Sequence, residues 1–204
     1  LGFAMTLGAP SLSSQYYFAD GETGAGIAEQ YAIYNPTDTD VTVDAVFLGL
    51  PASPDFLNDT QIAVPAGRVV ILDTADVENL PTGRHGAVFS TFAGDSIVVE
   101  RVISRPAGNS VATSVVMGSP PNLASTRWSA SFGSDTAVDD ALVVLNVDSV
   151  DTTVTVSALG PGGLVPIPAL ESLPLPAGGI VTVPISDPSL LGRAFVVSSG
   201  QRIF

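Results

Sequence analysis

The sequence predicts an all-β fold made of two tandem immunoglobulin-like β-sandwich repeats. Three observations lead there. A series of short motifs occurs twice at an offset of 111 residues, beginning with Tyr31 and Leu142. The 20 glycines and 16 prolines are spread along the chain, as many short strands joined by turns require. Valine and threonine recur throughout, lysine is absent, and no stretch keeps a helical period.

The repeat fixes the expected domain boundaries. Tyr31-Ala-Ile-Tyr-Asn35 lies above Leu142-Val-Val-Leu-Asn146, and Asp40-Val-Thr-Val43 above Asp151-Thr-Thr-Val154. Val64-Pro-Ala-Gly67 falls on Leu175-Pro-Ala-Gly178. After a short deletion, Ala87-Val-Phe89 is set against Ala194-Phe-Val196, and Ile97-Val98 against Ile203-Phe204. Tyr17 is set against Trp128, and Met5–Pro10 resembles Val115–Pro120. Residues 1–14 are therefore expected to be the last strand and linker of a preceding repeat. Residues 15–120 form repeat one, and 121–204 form repeat two, cut before its last strand.

Within repeat one, a strand is expected near 15–19, then a Gly-rich turn at Asp20–Gly26. The second strand, 29–35, closes on Asn35-Pro-Thr-Asp-Thr-Asp40, whose side chains can bond their own backbone. The third strand, 40–48, alternates Val41, Val43, Ala45 and Phe47 against Thr42 and Asp44. Strands at 60–65 and 67–73 flank the tight turn at Pro65-Ala-Gly67. A helical turn capped by Thr74 follows. Strands at 86–93, 96–104 and 111–117 complete the unit. A strand over residues 1–8 is expected to repeat that last element.

The motif series resembles a family of repeats of unknown function in secreted and cell-surface proteins of actinobacteria. The resemblance rests on Tyr16-Tyr-Phe-Ala-Asp-Gly21, Asn35-Pro36, Pro65-Ala-Gly67, Val99-Glu-Arg101 and the junction Ser125-Thr-Arg-Trp128. It implies an exported, array-forming module without catalytic activity. Repeat two departs from it: Trp128-Ser-Ala-Ser-Phe132 lacks the Phe-Ala-acid-Gly run, and Val147 replaces the turn proline.

Composition narrows the function. With 46% hydrophobic and 13% charged residues, the chain can build a packed core. A net charge of -13, with arginine as its only strong base, argues against nucleic acid and anionic membranes as partners. No apolar run approaches the roughly 20 residues of a membrane helix. Cysteine is absent, so neither disulfides nor thiolate metal sites can form.

Few residues carry potential chemistry. His85, the single histidine, is expected in an exposed loop, Thr82-Gly-Arg-His-Gly86, with Asp73 or Asp76 as sequence neighbours. No nucleophile-elbow motif accompanies it. Glu100 and Arg101 must point to opposite faces of an apolar strand, which suggests an ion pair with another strand. Carboxylates gather at Asp38, Asp40 and Asp44, at Asp55 and Asp59, at Asp73, Asp76 and Glu78, and at Asp135, Asp139 and Asp140. Turn chemistry accounts for most of them. A structural Ca²⁺ is the sole cofactor they admit, with Asp38, Asp40, Asp135, Asp139 and Asp140 as ligand candidates. Asn58-Asp-Thr60 fits a glycosylation sequon.

The expected function is a non-catalytic structural or spacer module of an extracellular or cell-surface repeat protein. Its partners would be neighbouring repeats or copies of itself. Two alternatives remain open: an adhesin-like module for glycan or protein ligands, and a filament subunit assembling by strand donation.

Overall fold

The computed structural model describes residues 4–50, 59–92, 94–131, 141–185 and 192–204. They are mostly antiparallel β-strand, with three short 3-10 turns and no long helix. The chain divides into two compact units, Leu1–Asn122 and Leu123–Phe204.

Unit 1 holds eight described strands: β1 Gln15–Thr23, β2 Ala28–Tyr34, β3 Val41–Leu48, β4 Thr60–Val64, β5 Val69–Asp73, β6 Gly83–Thr91, β7 Val98–Ala107 and β8 Ser110–Met117. They form two four-stranded sheets, ordered β1-β6-β3-β4 and β5-β2-β7-β8. The core draws on both. Tyr16, Phe18, Phe89, Val43 and Val64 come from the first sheet, and Tyr31, Ile33 and Val99 from the second. This sandwich-like layering follows from strict alternation: β3 reads buried at Val41, Val43, Ala45 and Phe47 and more open between. Phe18, Tyr31 and Phe89 pack edge-on or tilted, with centroids 4.6–5.9 Å apart. Such ring pairs add about 0.5–1.5 kcal/mol each beyond their burial.

Unit 2 holds seven described strands: β9 Ser125–Ser131, β10 Ala141–Leu145, β11 Thr152–Gly160, β12 Gly163–Pro166, β13 Leu173–Leu175, β14 Ile180–Pro184 and β15 Ala194–Ile203. The pairing β9-β15-β11-β13 follows the same path as β1-β6-β3-β4, and β10-β14 follows β2-β5. Val154, Val156, Leu175, Val183, Phe195 and Val197 form its own core.

Four expectations change on contact with the structure. β1 runs on to Thr23 through an irregularity between Phe18 and Gly21, and it carries β6 back to Gly83 by pairing Gly21 with His85 and Glu22 with Arg84. The segment 20–26 is therefore strand first and turn only from Gly24. Asp73, not Thr74, caps the 3-10 turn Thr74–Asp76, its side chain accepting from the Ala75 amide. Residues 4–12 form no strand. The outer side of β7, where their sequence match lies, is already taken by β8.

The fourth change concerns register. Phe47 pairs with Ala87 and Ala45 with Phe89, whereas Ala158 pairs with Phe195 and Val156 with Val197. Phe89 thus matches Val197, not Val196. Likewise Tyr16 pairs with Phe89 as Trp128 pairs with Val197, so Trp128 takes the place of Tyr16 rather than Tyr17. A slip of one residue in a strand exchanges its inner and outer faces, and motif matching alone does not see that parity.

Candidate functional site

Two knots of polar side chains join the strands. The first sits at the corner after β2. Asn35 is fully buried, and its Nδ2 donates to the carbonyls of Thr39 (2.7 Å) and Val64 (3.0 Å). Its Oδ1 accepts from the Thr37 amide at 2.9 Å, and its own amide donates to Arg68 O at 3.0 Å. Asp40 Oδ1 accepts from the Ala66 amide at 3.0 Å, beside Gly67, whose φ of 65° suits a residue without Cβ. The Asn-Pro and Pro-Ala-Gly motifs are thus the two halves of one hydrogen-bonded corner.

The same corner recurs in unit 2. Asn146 Nδ2 donates to Val150 O (2.9 Å) and Leu175 O (3.3 Å). Asn146 Oδ1 accepts from the Asp148 amide at 3.0 Å, and Asp151 Oδ1 from the Ala177 amide at 2.9 Å. The Asn146 amide donates to Gly179 O at 3.0 Å, and Gly178 has φ 63°. Every donor and acceptor lies 111 residues beyond its counterpart. Val147 in place of Pro36 leaves these bonds intact, because the asparagine carries them.

The second knot is charged and belongs to unit 1. His85 on β6 is fully buried and faces Glu29 on β2, with Nε2 and Oε2 3.0 Å apart. The expected exposed-loop histidine is therefore a core residue. The extension of β6 against β1 draws it inward, on the same face as Ala87 and Phe89. Asp73 and Asp76 are not its partners; Asp73 bonds Gln30 instead. Tyr31 donates its hydroxyl to Glu29 Oε1 at 3.1 Å, and Phe47 meets the imidazole edge-on at 5.2 Å.

Arg101 on β7 turns inward as the alternation of Glu100 and Arg101 requires. It is 4% exposed, with Nε 3.9 Å from Glu29 Oε1 and a terminal nitrogen 4.0 Å from Asp20. Nearer the surface, Asp20 also holds Arg84 at 2.8 Å and Arg105 at 3.2 Å, and Glu22 accepts from Arg105 at 2.7 Å. Partial burial opposes the charge of Arg105, but its bonds to Glu22 and Asp20 outweigh this and raise its pKa. Burial, reinforced by the Glu29 carboxylate, pushes the Tyr31 phenol well above its ordinary value.

Gly21 closes the knot. A Cβ there would come within 2.7 Å of His85 Cδ2 and 2.9 Å of Glu29 Oε1. The backbone of β1 lies against the imidazole, and only glycine allows that approach. Asp20-Gly21 and Val99-Glu-Arg101, far apart in sequence, meet here. The fit is incomplete: His85 Nδ1 and Nε2, Glu29 Oε2 and Arg101 Nε have no hydrogen-bond partner among the described residues, the short His85–Glu29 contact being poorly aligned.

A buried histidine–carboxylate pair is the raw material of a general base. Here it faces the core, beneath β1, where substrate cannot meet it without displacing that strand. Its evident effect is to tie β6, β2 and β7 together across the two sheets.

Two of the calcium candidates are among the described residues, and they do not share a site. Asp38 is exposed, and Asp40 is bound to the Ala66 amide. Asp135, Asp139 and Asp140 lie outside the described residues, as do Asp55 and Asn58 of the sequon. Among the described residues, no group of three acidic or histidine side chains could hold a metal ion. Asp44 is the one acidic residue of β3. Burial, and then Asp59, push its carboxyl up against the opposing bond from Gln61.

No protein-family model matches the chain, and no curated protein matches it. Among solved structures, a crystal structure of Thermotoga maritima 1070 is similar over 53% of this chain and 94% of its own, at 13% identity and a TM-score of 0.46. A likeness at that level does not specify a shared fold.

Proposed function

We propose that the chain is a non-catalytic structural spacer, built from two tandem immunoglobulin-like β-sandwich repeats of an exported, cell-surface array. The observation that carries this reading is the Asn35 corner, whose bonds to Thr39, Val64 and Arg68 carbonyls and from the Thr37 amide recur at the matching positions around Asn146. Chance similarity of two β units does not require the same asparagine, aspartate and glycine to bond the same backbone groups. The inward-facing His85 supports a structural role over a catalytic one. The resemblance to actinobacterial surface repeats supports the extracellular setting. Neighbouring repeats are the natural partners.

Single-molecule stretching from the two ends tests the load-bearing role. A spacer of two folded repeats resists in two separate ruptures, the longer contour coming from Leu1–Asn122 and the shorter from Leu123–Phe204. One merged rupture, or extension without resistance, would remove the reading.

A further inference from the structure

The two sheets of unit 1 differ on their outer faces. On the first, β3 turns Thr42 and Asp44 outward, and Gln61 and Ser90 stand opposite Asp44. On the second, the outward residues are those that alternate with the buried Tyr31, Ile33, Val99, Arg101 and Ile103. Most of them are apolar. Tyr34 stands between Val69 and Val98, and Ala32 between Ile71 and Glu100. Val69 and Ile71 are more than half exposed, and Tyr34 is 39% exposed.

Glu100 is the exception at the centre of this face. Its neighbours are Val98 and Val102 along β7, Ala32 across on β2 and Met117 across on β8. It is partly buried and makes no ion pair among the described residues. Arg101 beside it points inward, toward Glu29. A carboxylate ringed by aliphatic side chains loses hydration that no neighbouring cation replaces. The short Ala32 side chain leaves a low point between the longer Glu100, Ile71 and Tyr34.

We propose that this face docks a basic polypeptide segment that sets one arginine over Ala32, with apolar residues on either side of it. The guanidinium meets Glu100, and its stem and plane lie against Ile71 and the Tyr34 ring. Arginine suits the place because its planar fork matches a carboxylate and stacks on an aromatic face. Charge argues for a different polypeptide over a second copy of this one. A two-fold contact centred on this face would set Glu100 against Glu100. The net charge of -13 repels a like molecule and steers a basic one toward the chain. The proposal stands apart from the spacer reading, because unit 1 alone supplies the whole face.

Random peptides displayed on phage and selected on the full chain supply the probe. Selection is expected to converge on one arginine flanked by apolar residues. The selected peptide, made synthetically, should shift the amides of Ala32, Tyr34, Ile71 and Glu100. Replacing its arginine by citrulline, which keeps the shape and removes the charge, should weaken binding about tenfold. Glu100→Gln in the chain should cost the same, and the two changes together little more, since each removes the same pair. The citrulline arm leaves the chain itself unchanged. Glu100→Arg should lose the arginine peptide and select acidic peptides in its place.

No convergence, equal binding of the citrulline peptide, or shifts confined to other surfaces would overturn the proposal. Sedimentation showing self-association that Tyr34→Glu abolishes would place a second copy on the face and overturn the assignment to a basic partner.

Discussion

Units 1 and 2 share a corner and differ in what holds their sheets together. Asn35 and Asn146 make matching bonds at the end of β2 and β10. Among the described residues, the knot of His85, Glu29, Arg101 and Asp20 is seen in unit 1. Unit 2 has no histidine, its arginines do not meet a buried carboxylate among the described residues, and its core is aliphatic around Phe195 and Trp128. The difference shows which parts build the module and which are local. Backbone capping by asparagine is what the two units have in common. Within unit 1, β7 supplies Arg101 to the charged knot.

The chromophores make this comparison measurable. All four tyrosines (16, 17, 31 and 34) lie in unit 1, and the single tryptophan, Trp128, lies in unit 2. The largest effect is expected from Glu29→Ala. It strands Arg101 without its buried partner and should cost unit 1 about 3–5 kcal/mol. The tyrosine-reported denaturant midpoint should fall while the Trp128-reported midpoint stays. Gly21→Ala comes next, at about 2–3 kcal/mol, because the added methyl presses on both His85 and Glu29; again only the tyrosine transition should move.

Asn35→Ala and Asn146→Ala sharpen the shared feature. Each leaves buried carbonyls and amides without partners and should cost about 2 kcal/mol in its own unit. The first should move the tyrosine signal and the second the tryptophan signal, by similar amounts. Unequal losses would show that the two corners are alike in geometry but not in weight.

The smallest effect is alkaline. Burial holds the Tyr31 phenol above its ordinary 10.0, so the folded state keeps a proton that the unfolded state releases. The stability this contributes is whole below pH 10.0 and is lost as pH rises through and beyond it. The unit 1 midpoint should therefore decline above that pH. Tyr31→Phe should flatten the decline without removing it, since burial raises Tyr16 in the same direction.

Much of this architecture was legible. Strict alternation from Val41 to Phe47 and the Pro65-Ala-Gly67 turn placed β3, β4 and β5 nearly where they lie. The corner was half legible: its two motifs were visible, but not that one asparagine joins them. The charged knot is half legible: the alternation of Glu100 and Arg101 predicts an ion pair with another strand, whereas His85 reads as part of an exposed loop. Two signals could have found it. His85, Ala87 and Phe89 continue one inward face at period two, and Gly21 interrupts a strand pattern where close backbone contact needs it. The one-residue slip between Phe89 and Val197 lay in a gapped match, where residue identity is satisfied by either parity.

Equilibrium unfolding of Glu29→Ala, followed at the same time by tyrosine and by Trp128, tests most directly whether the chain is two self-contained sandwiches with a knot in only one. The tyrosine transition is expected to move to lower denaturant while the Trp128 transition keeps its midpoint. Coincident transitions that shift together would contradict it.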